Sequence, residues 1–491
     1  KTFTFDGSGL IIPKGTVKTL QLKCNVAGGA TGGYYWGVDA GATFSATGLV
    51  SGQSLTPTAT DSNGQKITLS TGGSYTVTDD STPGYRIVTA GTTEVVLARL
   101  KFAATDESID IQRVNLQLTT AASNTPLDLV NQLVTLYDEA NPTVAIGTAQ
   151  FGAGDDSDLA TSTIIASGAL RVAAGASKVV IVKGDISGIS VSGPLIRSGD
   201  LLKVDYNGGA TGISGGNYGT GVSSGTTIAP STTSDTSVQG VRIVKAYPVF
   251  TKLAIPANLL KTISDYSFYR FSVAAVGGDV RIFKFTFNVS TSTGTLQSAS
   301  TSKYSLYAYD DASLSSADTT FSATGLLNAG QCYLGANSNA VANTVGLGGL
   351  VGDVEIVPTN SSCLTGTTTY KVPAGGTKYF DFRVDVATVE STASVTESIT
   401  VKLRGDSAWP ADALQAQGGT ATSVLGDMFA SGLAANSAGM GTTYGVNGTS
   451  NNDLIWSPVS TTTSSSVFDL DYTNGYQVLG LPANDMAAET L

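Results

Sequence analysis

Carboxylates in glycine-flanked loops are the residues of this sequence best suited to chemistry. Gly154-Asp-Asp-Ser-Asp158 sets Asp155, Asp156 and Asp158 in one loop, and Asp310 and Asp311 directly follow a strand-like segment further along. Hard cations such as calcium take several oxygens from a flexible loop, so these five residues are the candidate calcium ligands, with solvated turns as the alternative. No EF-hand pattern and no Gly-Gly-x-Gly-x-Asp array accompanies them. Tyr34, Tyr35 and Trp36 stand beside glycines and form the candidate ligand-binding cluster, able to stack on a sugar ring such as a cell-envelope glycan presents. Their alternative is packing in a core or at a domain contact. Histidine is absent, which removes Ser-His-Asp and Cys-His catalysis and histidine-ligated zinc or copper. No acid stands out as a catalytic group, and an enzyme is not expected.

The elements that must carry these residues are set by a repeat. Ile12-Pro-Lys-Gly-Thr-Val-Lys-Thr-Leu-Gln-Leu-Lys-Cys-Asn-Val26 returns without a gap as Val172-Ala-Ala-Gly-Ala-Ser-Lys-Val-Val-Ile-Val-Lys-Gly-Asp-Ile186. It returns again as Val372-Pro-Ala-Gly-Gly-Thr-Lys-Tyr-Phe-Asp-Phe-Arg-Val-Asp-Val386. Gly15, Gly175 and Gly375 align, as do Lys18, Lys178 and Lys378, and then Lys23, Lys183 and Arg383. Each copy reads as a turn followed by a half-buried strand, because alternation sets in after the glycine. Leu20, Leu22, Cys24 and Val26 point one way and Gln21, Lys23 and Asn25 the other, as on a strand with one core face and one wet face. On this reading Cys24 is a buried core thiol. Cys332 and Cys363 fall in an insertion that the other units lack and are read as a disulfide, which fits an oxidising, extracellular setting; two unrelated free thiols are the alternative.

A second block precedes the later two copies. Arg99-Leu-Lys-Phe-Ala-Ala-Thr-Asp-Glu-Ser-Ile-Asp-Ile-Gln-Arg-Val-Asn-Leu116 aligns without gaps on Arg270-Phe-Ser-Val-Ala-Ala-Val-Gly-Gly-Asp-Val-Arg-Ile-Phe-Lys-Phe-Thr-Phe287. In each, two strands are joined by a tight turn at Asp106-Glu107 or Gly277-Gly278. The apolar phase then slips between Ile111 and Val114, which predicts a bulge or a strand that bends from one sheet to another. Gly84-Tyr-Arg-Ile-Val88 and Gly240-Val-Arg-Ile-Val244 open these two units, and Val134 to Tyr137 matches Tyr304 to Tyr307 as a third strand.

The fold class is therefore all-β, tandem Ig-like antiparallel β-sandwich modules. The divisions are residues 1–83 as a partial N-terminal module, 84–239 as a sandwich module, 240–410 as a sandwich module with the cysteine-containing insertion, and 411–491 as C-terminal strands and tail. The N-terminal unit has the repeated strand without the preceding block. Upstream residues removed from the chain, a strand that folds by itself, or partner strands from another molecule would each account for that.

Composition agrees. Glycine is abundant at 58 residues and only 13% of residues are charged, which describes a turn-rich β protein and not a helical one. A net charge of −11 with no basic stripe excludes nucleic acid as a partner. No apolar run reaches transmembrane length, and a start at Lys1 is expected of a mature exported product.

Arg404-Gly-Asp406 spells an adhesion tripeptide at a position where a turn is expected, and Asn288, Asn360 and Asn447 head N-glycosylation patterns. The Arg-Leu-Lys-Phe-Ala-Ala-Thr-Asp-Glu block, the Gly-x-x-Lys strand ending in Val-Lys-Gly-Asp-Ile, and the Ile-Trp-Ser-Pro…Asp-Tyr-Thr-Asn-Gly-Tyr…Gly-Leu-Pro ending resemble large secreted surface proteins of candidate-phyla-radiation (Patescibacteria) bacteria. The resemblance spans most of the chain and implies an S-layer-like or other envelope role, with no catalytic residues. The expectation is a cell-surface structural protein that self-associates into a homo-oligomeric lattice or filament, with a surface adhesin or glycan-binding protein as the alternative.

Overall fold

A computed structural model describes residues 2–5, 9–26, 30, 32–69, 72–119, 124–152, 158–189, 198–210, 215–255, 260–291, 304–328, 333–335, 352–358, 369–386, 398–407, 453–460, 473–481 and 485–491. Among them every element except one short 3-10 turn is a strand, and two β-sandwiches hold two separate hydrophobic cores. Cys332, Cys363, Asp155, Asp156, Asn360, Asn447 and all of 408–452 lie outside the described residues.

The repeated strand is the centre of each sandwich. Ser177–Ile186 lies antiparallel between Val95–Thr105 and Leu129–Asp138. Thr377–Val386 lies in the same way between Ile263–Val276 and Tyr304–Tyr309. Alternation does what it predicts here: Val180, Val182 and Ile186 in one copy, and Phe380, Phe382, Val384 and Val386 in the other, are buried. Each such side chain contributes about 1.5–3 kcal/mol when fully removed from water. The turn before the strand is the same in both. Gly175 and Gly375 take positive φ, and the residue after each closes the turn onto the carbonyl of Ala173 or Pro373. Their N–H groups donate to the equivalent carbonyls of Ala104 and Ala275, which fastens the turn to the preceding block.

The first copy departs from expectation. Its turn forms, with Gly15 at φ 74° and the Thr16 N–H bonded to the Pro13 carbonyl at 3.0 Å. No strand follows. Residues 17–26 carry no regular secondary structure and are exposed, and no strand pairing involves residues 9–26 among the described residues. Leu20 is 62% and Leu22 50% exposed, where their counterparts Val180 and Val182 are fully buried. Cys24 is accordingly an exposed free thiol and not a core residue. Alternation creates an apolar face but not the partners that would cover it, so the copy does not fold by itself. Residues 32–69 form only three short antiparallel pairs, Gly32–Tyr34 with Ile67–Leu69, Gly37–Val38 with Ser62–Asn63, and Ala46–Thr47 with Ser54–Leu55.

The phase slip marks a change of sheet. Ile109–Arg113 pairs with Tyr218–Gly221, whereas Asn115–Leu118, one residue on, belongs to the opposite sheet beside Leu159–Ser162 and Val204–Tyr206. Ile109, Ile111, Val114, Leu116 and Leu118 all stay buried because the chain crosses the core at Val114. Val280–Thr291 does the same, pairing with Ile455–Ser457 through Lys284 and with Gly352–Ile356 and Ile399–Leu403 beyond it. The turns at Asp106 and Gly277, both at positive φ, are therefore corners between sheets; the strands on either side of each do not pair as hairpins.

The two sandwiches interlock. The unit-opening segments Arg86–Thr89 and Val241–Val244 pair with each other in parallel, and Leu201–Leu202 adds a third strand. Ile87, Val244 and Ala246 enter the second core, while Val241 and Ile243 enter the first. Across this joint the Arg242 Nε donates to the Tyr85 hydroxyl at 3.1 Å and Tyr85 meets Tyr476 with ring centroids 5.1 Å apart. Ser74–Asp79 pairs with Val95–Thr105, so the first sandwich includes a strand from before residue 84. The C-terminal strands complete the second: Trp456, Val478, Leu481, Met486 and Leu491 all join its core.

Candidate interaction sites

The repeated basic residues are consumed within each sandwich. Lys178 pairs with Asp138, the last residue of the adjacent strand. Lys378 pairs with Asp310 at 2.5 Å and with Asp318 at 2.8 Å. Five residues further on, Lys183 lies over the Tyr137 ring and Arg383 over the Tyr307 ring, at 4.6 and 4.5 Å from the centroids. Arg383 also holds Asp265 and the wholly buried Asp381, each at 2.9 Å. The central strand thus carries fixed cations at two positions on opposite faces, each facing an acid and, in the second position, a tyrosine. This explains why lysine and lysine or arginine recur at those positions.

The expected calcium loop at Asp310 and Asp311 is a hydrogen-bonded turn. Asp311 accepts from the Ser313 hydroxyl at 2.6 Å, from the Ser315 N–H and hydroxyl at 3.1 and 3.0 Å, and from the Ser316 N–H at 2.6 Å. These donors, the Ser313 hydroxyl first, hold its carboxyl well below the usual range. With Asp310 paired to Lys378 and both Asp311 oxygens engaged, the residues present do not fit a cation. Asp158 is half-buried, and its backbone carbonyl accepts from the Leu118 N–H. Among the described residues no group of three or more acidic or thiol side chains is placed to hold a metal.

The adhesion-like tripeptide is structural. Arg404 forks onto Asp353 at 2.9 and 3.2 Å. Asp406 is buried and accepts from the N–H groups of Asp453, Leu454 and Gly475. Asn288 donates through its amide to Asp353 of the neighbouring strand at 2.7 Å. Sequence reading missed the polar layer beside these residues: Lys284 and Glu355 form a buried ion pair at 3.1 Å. Burial pushes the Glu355 carboxyl up, against the pull of Lys284. Lys284 sits between Phe283 and Phe285, where alternation reads it as a wet residue, so no pattern in the sequence signals the pair.

Among the described residues most of the large exposed apolar side chains lie before residue 70, including Phe3, Phe5, Ile12, Val17, Leu20, Leu22 and Val26. Tyr34, Tyr35 and Trp36 are exposed as well, and the Lys66 ammonium stands 6.0 Å from the Tyr35 ring centroid. The alternative in which these aromatics pack in a core is not realised: neither core includes a residue before Tyr75.

The fold and these surfaces define an all-β protein of interlocked sandwich modules with an exposed N-terminal segment. No family model matches the chain, and no curated protein matches it. Among solved structures it is similar to the Streptococcus agalactiae AgI/II polypeptide BspA C terminal domain, at 9% identity over 67% of this chain and 95% of that one, with a TM-score of 0.17. The T6 backbone pilin of serotype M6 Streptococcus pyogenes matches at 10% identity over 63% and 53%, with a TM-score of 0.14. A putative membrane anchored protein from Corynebacterium diphtheriae matches at 8% identity over 70% and 89%, with a TM-score of 0.11. Likeness at this level bears on neither fold nor role. Among the described residues no helix is long and apolar enough to cross a membrane.

Proposed function

We propose that the chain is an extracellular structural protein of a bacterial surface that self-associates into an S-layer-like lattice or a filament. The observation that supports this most is the joint between the sandwiches, where parallel pairing of Arg86–Thr89 with Val241–Val244 and the sharing of strands between cores make two modules one stiff unit. A lattice or filament needs units of fixed shape, and mechanical continuity is the chief thing this geometry offers. Electron microscopy of the purified chain with calcium and then with a chelator tests the reading. Ordered sheets or filaments support it, and monodisperse particles in both conditions defeat it. Calcium is retained only as a proposal for the Asp155–Asp156 loop, for which dissolution of assemblies on chelation is the expected sign.

One observation favours the adhesin alternative: three exposed aromatic rings at Tyr34, Tyr35 and Trp36. Rings that stack on sugars supply affinity without a deep pocket. Glycan-array binding by the wild-type chain that is lost in a Tyr35→Ala, Trp36→Ala double variant would select this reading over the structural one.

A further inference from the structure

Lys284 is the only lysine buried among the described residues, and it is buried against an acid. Within Val280–Thr291 it is the last residue paired with Ile455–Ser457, and Phe285 is the first paired with Gly352–Ile356. The side chain therefore starts where the chain crosses between sheets. Register sets Glu355 opposite Thr286, diagonal to Lys284 and within reach of a long side chain. Nζ meets Glu355 Oε1 at 3.1 Å, with the two side chains 4% and 3% exposed. Glu355 Oε2 is buried and has no hydrogen-bond partner. The chain neighbours Phe283, Phe285, Val354 and Ile356 and the facing Ile455 are buried as well, so bulk water is kept from the pair.

Two more carboxyls, Asp406 and Asp453, lie within electrostatic reach of the Lys284 ammonium. The Thr286 hydroxyl donates to the Asp453 carbonyl at 2.6 Å, which ties that segment to the strand of Lys284. Burial holds the carboxyls of Glu355, Asp406 and Asp453 above their ordinary range. With one ammonium for three acids away from water, proton transfer from Nζ to Glu355 costs little, since it leaves amine and acid both neutral. Other lysine–acid contacts lack this setting. Lys378 meets Asp318 at 2.8 Å, yet Asp318 is held well below the usual range despite burial, by Lys378, Thr320 and Tyr370, and stays an anion.

We propose that Lys284 and Glu355 condense after folding into an amide that joins Val280–Thr291 to Gly352–Ile356 covalently. One Nζ proton first moves to the Glu355 carboxylate. The Nζ lone pair then attacks Cδ, the C–N bond forms, and the C–O bond to the protonated oxygen breaks. A second Nζ proton leaves with that hydroxyl as water, and the third remains on the amide nitrogen. No oxidant, cofactor or outside acid enters the balance. Holding amine and acid in contact gives such a step an effective concentration of roughly 10⁵ M or more, which offsets the bias of water toward hydrolysis. The ion pair belongs to the newly folded chain, and its energetics apply there; the amide is the matured state. Such a link serves a lattice, a filament or an adhesin alike, so it does not depend on how the protein assembles.

Intact mass and peptide mapping of the 491-residue chain, newly synthesised and then aged at neutral pH, test this. The aged chain is expected to be lighter by one water, with Lys284 and Glu355 in one branched peptide and no tryptic cleavage after Lys284. The loss should proceed at least tenfold more slowly in chain kept in urea, because only the fold brings the two groups together. Lys284→Arg is expected to keep its full mass at every age, since a guanidinium holds its proton. Should that variant not fold, the map of the wild-type chain decides alone. A full mass after ageing, a lost water that maps to a succinimide or to a link with Asp406 or Asp453, or an equal rate in urea would each overturn the proposal. None of these outcomes bears on whether the purified chain forms sheets or filaments, so the two readings fail separately.

Discussion

The Arg383 guanidinium lies 4.5 Å from the centroid of the Tyr307 ring while it holds the buried carboxylate of Asp381 from the same side. One cation thus serves a ring and a buried charge, and Arg270 reaches Asp381 only at 3.4 Å. Arg383→Met is expected to destabilise the second sandwich by about 3 kcal/mol, because an ion buried without its partner keeps its desolvation cost. Urea unfolding followed by the fluorescence of buried Trp456 measures it. Arg383→Lys should recover less than half, since an ammonium cannot fork between Asp265 and Asp381.

Lys284 and Glu355 give the opposite lesson. Lys284→Met alone should cost about 3–5 kcal/mol, whereas Lys284→Met combined with Glu355→Leu should return to within about 1 kcal/mol of wild type or exceed it. A double-mutant cycle in urea separates the value of the pair from the cost of breaking it. Additive losses would show that the pair stabilises the fold outright.

Asp128 is wholly buried in the first sandwich, and burial, with the charge of Asp200 beside it, pushes its carboxyl up to about 8. An unfolded carboxyl titrates near 3.9 on average. The native protein keeps a proton that the unfolded chain releases, so stability should fall as pH rises between about 4 and 8 and level off above that. Asp453, pushed to about 7 by burial and by Asp406, should add the same trend in the second sandwich up to its own value. Asp128→Asn is expected to remove a slope of up to ~1.4 kcal/mol per pH unit from the first transition. Urea midpoints at pH 5, 6.5 and 8 read the difference, and an unchanged slope would show that Asp128 is not the group responsible.

Gly15, Gly175 and Gly375 share a positive φ, and a Cβ added to any of them meets nothing within 4 Å. The cost of alanine there is conformational only, about 1–2 kcal/mol. Gly175→Ala and Gly375→Ala should each lower the stability of their sandwich by that amount, while Gly15→Ala should leave the melting of both unchanged. Gly184→Ala should cost more than either, since its Cβ would lie 2.7 Å from Leu129 and 2.9 Å from Leu97. Scanning calorimetry of the four variants ranks them.

Trypsin should cut first after Lys14, Lys18, Lys23 and Lys66, all exposed and outside both cores. The product starting after Lys66 should melt like the intact chain. A lowered melting temperature would show that residues 1–66 stabilise the sandwiches.

Much of the fold could be read from the sequence because each sandwich repeats the same physical solution. Alternation in Val180 to Ile186 and Phe380 to Val386 identified the central strands, and the shared slip at Val114 identified the crossing between sheets. The acids were harder. Asp310 and Asp311 look alike in sequence, yet one pairs with Lys378 and the other is saturated by serines, and only the fold decides which donors lie within reach. Lys284 was invisible for the reason given by its neighbours, Phe283 and Phe285: alternation assigns faces but does not say that both faces are covered. The first copy was misread as a folded strand because periodicity reports what a segment would bury, not whether a neighbour exists to bury it.

The parallel joint carries a consequence for how the chain is made. Ile87 emerges from synthesis before any of the second sandwich, yet it packs into the second core, whose other members begin only at Val244. The first sandwich can therefore reach its native form while one edge of it still waits, with an apolar side chain bare, for a domain not yet translated. The second sandwich finds a template ready and folds onto it. Synthesis runs in one direction, and so does this dependence: an array of such units would grow from its earlier end, each finished member seeding the next.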